Sequence, residues 1–282
     1  MTDPAVLITG TSTGIGAATV RFLDQRGYRV FAGVRREEDA ARLRDSSSER
    51  VTPVFLDVTD RSMVTAAAEL VERAAPHGLA GLVNNAAVSV PGPIEGIPLD
   101  EFRAQLEVNL VGVLAVTQAL LPSIRRAGGR IVNVSSINGR VVTPFGTPYG
   151  TSKFGLEALS DGLRVELRRW KIHVSVIQPG AIDTPIWTTS LARAKGIAAS
   201  LPPEVQELYR GIIAKIEGRA AAPPPHALAP ERVARVIYRA LTARRPKTRY
   251  LVGWDARLAA VMKALLPDRA MDRILGSRAK RR

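Results

Sequence analysis

Ser136, Tyr149 and Lys153 are side chains that could together move a proton on and off an oxygen atom. The last two stand in Tyr149-Gly150-Thr151-Ser152-Lys153. Positions four apart on a helix share a face, so this spacing brings the lysine ammonium near the phenol. A tyrosine with its ordinary pKa of about 10 is a poor base at neutral pH. A nearby cation favours the phenolate, and each unit of pKa is worth about 1.4 kcal/mol. Ser136 supplies a second hydroxyl that could hold a carbonyl or alcohol oxygen against that acid. Proton transfer at an oxygen is half of a reaction whose other half moves a hydride at carbon, and the hydride requires a cofactor. A Tyr-x-x-x-Lys pair alone is more often part of an amphipathic helix surface, so the elements around it decide.

The start of the chain offers a place for such a cofactor. Ala5-Val6-Leu7-Ile8-Thr9 suits a buried strand, and Ala17–Leu23 suits the helix after it. Between them runs Gly10-Thr11-Ser12-Thr13-Gly14-Ile15-Gly16. Its glycines allow a tight turn and close approach of a phosphate, and the helix N-terminus offers oriented N–H groups. The spacing is G-x-x-x-G-x-G, not the common G-x-G-x-x-G. The same residues also match the G-x-S-x-G elbow of hydrolases, with Ser12 as nucleophile. That alternative needs a histidine base. His77 sits in a Pro-His-Gly turn, His173 in a strand-like run and His226 after three prolines. It would also leave Ser136, Tyr149 and Lys153 without a role. A second alternative is a non-catalytic sensor that only binds a dinucleotide.

Strand-like runs at Val6–Thr9, Arg29–Ala32, Val51–Leu56, Gly81–Asn84, Gly129–Val134, His173–Gln178 and Thr248–Val252 alternate with helical stretches, notably Asp100–Leu121 and Tyr149–Trp170. Pro122 and Gly128-Gly129 punctuate the end of the first long helix. The alternation predicts an α/β fold: a doubly wound parallel sheet of about seven strands, with helices on both faces and the cofactor across the strand C-terminal edge. The 282 residues, 46% of them hydrophobic, suffice for one large core. Zero cysteines exclude disulfides and thiol catalysis, and no His/Asp/Glu cluster suggests a metal. No uncharged apolar run long enough to span a membrane is expected. Met1-Thr2-Asp3-Pro4 leads straight into the first strand, leaving no room for a secretory signal. A cytoplasmic protein is expected.

Taken together these residues resemble the short-chain dehydrogenase/reductase family, over roughly residues 4 to 255. Thr9-Gly10 through Gly16 is similar to that family's cofactor turn, and Asn84-Asn85-Ala86-Ala87 to its Asn-Asn-Ala-Gly element, with Ala87 a small departure. Asn109 is similar to the catalytic asparagine, Ser136, Tyr149 and Lys153 to the remaining catalytic set, and Pro179-Gly180 with Ile182 and Thr184 to the nicotinamide-side turn. The resemblance implies that Tyr149 is the general acid/base, and that Lys153 lowers its pKa and binds ribose. It further implies that Ser136 polarises the substrate oxygen and that Asn109 holds a water in a proton relay. Gly10, Ser12, Thr13, Gly14, Ile15, Gly16, Asn85 and Ala86 would line the dinucleotide, and Asp57-Val58 would contact adenine. Relatives that use NAD usually carry an acid after the second strand. Here Val34 is followed by Arg35 and Arg36, cations suited to a 2′-phosphate, so NADP(H) is favoured over NAD(H).

The resemblance also implies a helical substrate lid over residues 183–230. It is rich in apolar side chains: Ile186, Trp187, Leu191, Ile197, Leu201, Leu208, Tyr209, Ile212, Ile213 and Ile216. With Val90, Val141, Pro144, Phe145 and Trp187 as wall candidates, the pocket suits a bulky hydrophobic alcohol or ketone better than a sugar. Phe31-Ala32-Gly33-Val34-Arg35, Asp183-Thr184-Pro185-Ile186-Trp187 and the long lid look like the hydroxysteroid and retinol dehydrogenase branch. The expected organisation is one domain over 1–255 and a basic amphipathic extension over 256–282. Net charge is +14, and Glu231 to Arg282 carries 15 Lys and Arg against 4 Asp and Glu. Leu258, Val261, Met262 and Leu265 at helical spacing, and the ending Arg278-Ala279-Lys280-Arg281-Arg282, suit either a packed helix with a basic tail or a peripheral contact with anionic membrane. Without interleaved aromatics no nucleic-acid partner is expected. The resemblance implies a homodimer or homotetramer, through the two long helices starting near Asp100 and Tyr149.

Overall fold

The computed structural model of the chain describes residues 3–217 and 222–280. Strands β1 (Ala5–Ile8), β2 (Arg29–Val34), β3 (Val51–Phe55), β4 (Gly81–Asn84), β5 (Arg130–Val134), β6 (His173–Pro179) and β7 (Arg249–Val252) form one parallel sheet in the order β3-β2-β1-β4-β5-β6-β7. Each lies within two residues of its expected bounds. Helices α1 (Gly14–Asp24), α2 (Glu37–Ser46), α3 (Arg61–Ala74), α4 (Leu99–Leu106), α5 (Gly112–Ala127), α6 (Thr147–Glu166), α7 (Ile186–Ser200), α8 (Pro203–Leu208), α9 (Arg210–Glu217), α10 (Pro230–Thr242), α11 (Trp254–Leu265) and α12 (Asp268–Lys280) connect and follow them.

Side chains alternate across a strand, and β1 shows why both faces need cover. Val6 and Ile8 join a core with Val20 and Leu23 of α1 and Val233 and Ile237 of α10. Ala5 and Leu7 join another with Val64 and Val71 of α3 and Val116, Leu120 and Ile124 of α5. Strand order reverses between β1 and β4, whose outgoing loops therefore diverge and open a crevice at the C-terminal edge.

Three features differ from expectation. Pro122 does not end its helix: α5 runs through it to Ala127, where Gly128 (φ 61°) makes a left-handed cap. The carbonyl left without a partner by proline is that of Gln118, an exposed residue. Next, α4, a π-helical turn at Glu107–Val111 and α5 form one helix, Leu99–Ala127, that is long and apolar enough to cross a membrane. Because it buries Gln105, Asn109, Leu120 and Ile124, it serves as a core helix. Finally, the C-terminal segment is not separate from the body at residue 255. Helix α11 starts at Trp254, and Ala256, Ala260 and Met271 are buried. Arg281 and Arg282 of the basic ending lie outside the described residues, as do lid residues 218–221 and the side chain of Ile216.

Candidate active site

The loop after β1 forms a cradle whose shape depends on missing side chains. Gly10 is left-handed (φ 66°), and a Cβ there would meet the Ala86 Cα at 2.8 Å. A Cβ on Gly16 would strike the Gly10 carbonyl oxygen. Asn85 fixes the loop from β4: its side-chain amide donates to the carbonyls of Thr9 (3.0 Å) and Gly10 (2.8 Å). The backbone N–H groups of Asn85 and Ala86 both donate to Thr9 Oγ1 at 3.0 Å. Thr11 ties the other side to Gly33 of β2 through its N–H and its hydroxyl. Thr13 is the N-cap of α1 and makes no side-chain capping bond, which leaves the first-turn N–H groups beside Ser12, Gly14 and Ile15 free for anionic oxygens. The residues present therefore fit a dinucleotide pyrophosphate.

The catalytic candidates converge beyond β5 and on α6. Ser136 caps the short turn Ile137–Gly139, its Oγ accepting from the Asn138 N–H at 3.2 Å. Its hydroxyl stands near enough to the Tyr149 phenol to favour the ionised form of that group. Lys153, one helical turn beyond, is fully buried; its Nζ lies 5.5 Å from the Tyr149 ring centre and donates to the Val134 carbonyl at 3.0 Å. Asn109 is also fully buried, at the π-helical turn. Its Oδ1 accepts from the Val88 N–H (2.9 Å), and its Nδ2 donates to the Val88 carbonyl (2.9 Å) and Ser152 Oγ (3.0 Å). Its side chain thus clamps the loop after β4 to α6. A π turn of this kind recurs at functional sites.

The electrostatics run against the expectation of a phenol acidified by its neighbour. Burial pushes the Tyr149 phenol up to about 12, outweighing the neighbouring Ser136 hydroxyl, which pulls it down. Burial likewise drives the Lys153 ammonium down to about 8, against the Glu157 carboxylate, which holds it up. At neutral pH the pair is a phenol beside a cation, a proton-donating arrangement.

The turn after β6 closes the cleft. Pro179 and Ile182 are buried, and the Thr184 side chain lies over Gly14, at 3.0 Å from where a Cβ would stand. Trp187 anchors the lid to this turn, donating from its indole N–H to the Ile182 carbonyl at 2.8 Å. The turn is held by a residue without any motif: Asp255 of α11 packs over Gly180 and accepts the Ala181 N–H at 2.7 Å.

At the adenosine end, Arg35 is exposed and lies 3.7 Å from Asp57, whereas Arg36 pairs with the buried Asp39 at 3.1 Å. Asp57 accepts from the Thr59 N–H and hydroxyl (3.0 and 2.7 Å), which help hold its carboxyl below the ordinary range despite burial. Val58 is buried against Gly112. At the substrate end, Val90 and Val141 are buried. Val90 roots the lid by packing with Ile197 and Leu201, and its N–H donates to Gln105 at 2.6 Å. Phe145 is a non-glycine residue at φ 63°, its ring edge-on to Tyr209 of the lid at 6.3 Å. Such backbone outliers cluster at binding sites.

Ser12 finds no hydrolase partners. His77 borders the opposite edge of the sheet, His173 opens β6 at that same edge, and His226 stacks on Trp254 beside Asp255.

Residues 4–195 match the short chain dehydrogenase family. The chain is 40% identical to retinol dehydrogenase 16 of Homo sapiens, covering 97% of this chain and 88% of that one. It is 39% identical to 17-beta-hydroxysteroid dehydrogenase type 6 of Bos taurus, with the same coverage. A short chain dehydrogenase from Burkholderia cenocepacia J2315, solved in complex with NADP, superposes with a TM-score of 0.75 at 28% identity, covering 97% of each chain.

Proposed function

The chain belongs to the short chain dehydrogenase family, in its hydroxysteroid and retinol dehydrogenase branch, and is an NAD(P)-dependent oxidoreductase of alcohols and ketones; within that activity we propose a bulky hydrophobic secondary alcohol or ketone as substrate and NADP(H) as the preferred cofactor. The bound nicotinamide supplies or takes the hydride. Tyr149 gives the proton to the carbonyl oxygen in reduction and takes it back in oxidation, and Ser136 holds that oxygen in place. Lys153 keeps positive charge beside the phenol, stabilising the phenolate that proton donation leaves. Asn109 holds the loop after β4 against α6 and so fixes the floor of the cleft.

The observation that carries the reading is the meeting of Ser136, Tyr149 and Lys153 at the same sheet edge as the glycine cradle. The apolar lid and the names of the relatives support a steroid-, retinoid- or long-chain-like substrate. Support for NADP(H) comes from Arg35, the exposed cation after β2. The Arg36 guanidinium is committed to Asp39, which narrows the argument to one arginine. A panel of steroid, retinoid and long-chain ketones, read by nicotinamide absorbance, tests the reading. Turnover with at least one of them is expected; none with any ketone or alcohol overturns it.

Two partner readings accompany it. Outward-facing Leu99, Val111, Phe154 and Val165 on α4 to α6 favour a homodimer or homotetramer through these helices. Trp254, Leu258, Val261 and Leu265 of α11 are all exposed at spacings of one helical face, in the basic C-terminal part of the chain. This stripe favours peripheral contact of a cytoplasmic protein with an anionic bilayer.

A further inference from the structure

We propose that Glu157, opposed by Arg249, is an electrostatic positioning residue that sets the pH range over which Tyr149 and Lys153 carry their protons. The proposal rests on the oxidoreductase reading above. Tyr149, Lys153 and Glu157 follow one another at four-residue intervals on α6 and form one stripe of that helix. Lys153 is removed from water, and its ammonium donates to a neutral carbonyl, that of Val134. A buried cation needs a compensating charge, and the next position of the stripe supplies one.

The carboxylate is itself buried and held at both oxygens. Oε1 accepts from Gln178 Nε2 at 2.8 Å, on β6 immediately before the Pro179-Gly180 turn. Oε2 accepts from Arg249 Nε at 2.8 Å, on β7. Gly139, in the turn capped by Ser136, closes a further side, 3.2 Å from Oε1 if it carried a Cβ. The Arg249 guanidinium also donates to Asp161 at 2.7 Å, and Asp161 receives Arg164 at 2.8 Å. Arg164, Asp161, Arg249 and Glu157 thus form a chain of two cations and two carboxylates, with Glu157 at the end that faces Lys153 along the helix. Arg140 and Lys263, the latter paired with Asp268, line with Glu157 and Arg249 a depression of about 380 Å³ whose walls include neither Tyr149 nor Lys153. Of the charged groups packed around the pair, Glu157 and Asp161 favour its protons and Arg249, Arg140, Arg164 and Lys263 disfavour them. Glu157 is the one on the same helical stripe as the pair and one turn away.

The signs follow whichever member of the pair gives up the proton. Removing a nearby negative charge lowers the apparent pKa of a phenol and of an ammonium alike, and removing a positive charge raises both. Glu157→Gln keeps the volume and the acceptor for Gln178. It is expected to move the alkaline limb of ketone-reduction kcat/KM down by about one pH unit, with the rate below the limb kept; a unit charge one helical turn away at an effective dielectric near 20 gives a shift of that order. Arg249→Gln is expected to move the limb upward. In cofactor-free protein, the 13Cε-lysine resonance of Lys153, identified by its loss in Lys153→Met, must titrate at lower pH in Glu157→Gln. Limbs that coincide with wild type, a loss equal at every pH, or shifts of the same sign in both variants overturn the proposal. Should Glu157→Gln fail to fold, the Arg249→Gln limb and its lysine titration decide alone, and an unmoved or lowered value overturns it. A wild type with no turnover would instead sink the oxidoreductase reading, and the lysine titration would still report on Glu157.

Discussion

Lys153 and Val134 are joined by a 3.0 Å hydrogen bond from the side-chain ammonium to the strand carbonyl, so the backbone of β5 aims the cation that sits beside the Tyr149 phenol. Replacing Lys153 with Met keeps a straight apolar stem and removes the charge. Turnover in either direction is expected to fall by about 10²-fold or more, while Tyr149→Phe, which deletes the proton itself, loses about 10²- to 10⁴-fold. Cofactor binding, read by nicotinamide fluorescence, should persist in Tyr149→Phe. A Phe variant with wild-type turnover would remove Tyr149 from the reaction.

The two titrating groups give the reactions opposite pH dependences. With the phenol pushed up to about 12, the proton donor for ketone reduction is populated throughout the neutral range. The cation beside it is retained below about 8 and lost above, so reduction should decline as pH rises past that point. Alcohol oxidation needs the deprotonated phenol and should accelerate with rising pH. Rate profiles in both directions check this, and oxidation that is fastest at acidic pH would contradict it.

The proposed preference for NADP(H) rests on Arg35. Arg35→Ser should reduce kcat/KM with NADPH by about tenfold or more, the worth of a charge-assisted hydrogen bond, and leave NADH nearly unchanged. Wild type should favour NADPH. Equal use of both cofactors by wild type would refute the assignment.

Asp255 links the C-terminal helix to the nicotinamide-side turn through the Ala181 N–H. Asp255→Ala leaves that donor without its acceptor and should lower stability by about 1–3 kcal/mol, a Tm decrease of several degrees by calorimetry. KM for cofactor should rise with it. A variant unchanged in both would mean that the turn holds itself.

The exposed stripe on α11 predicts selective pelleting with vesicles. Wild type should sediment with anionic but not neutral liposomes, and Leu258→Glu with Val261→Glu should abolish this without loss of soluble turnover. Equal sedimentation of both proteins removes the membrane contact. Truncation after Asp255 is a poorer test, since Ala256 and Ala260 are buried against the body.

What spacing could reveal was what spacing encodes. Strands showed as short apolar runs between turn residues, and Gly10, Ser136, Tyr149 and Lys153 belong to motifs whose offsets are fixed by a turn or by one helical repeat. Asp255, Gln105 and Gln178 were not legible, because each acts across the fold on a residue distant in the chain, and the burial of Glu157 likewise depends on Gln178 and Arg249. Single polar residues on helices and strands look the same whether they face water or a buried partner. The direction of the Tyr149 shift was missed for a related reason: proximity of a cation follows from sequence, but loss of water depends on the whole enclosure. The helix carried past Pro122 because the carbonyl that proline strands faces solvent, a matter of orientation that no local rule contains.

The widened turn at Glu107–Val111 has a mechanical consequence. One extra residue wound into a helix rotates the segment after it by about 100° relative to regular winding. Asn109 and the apolar stripe of α5 are therefore phased to different neighbours by a single added step. Excising one residue there would restore uniform pitch but could align only one of the two, either the amide with its loop or the stripe with the sheet.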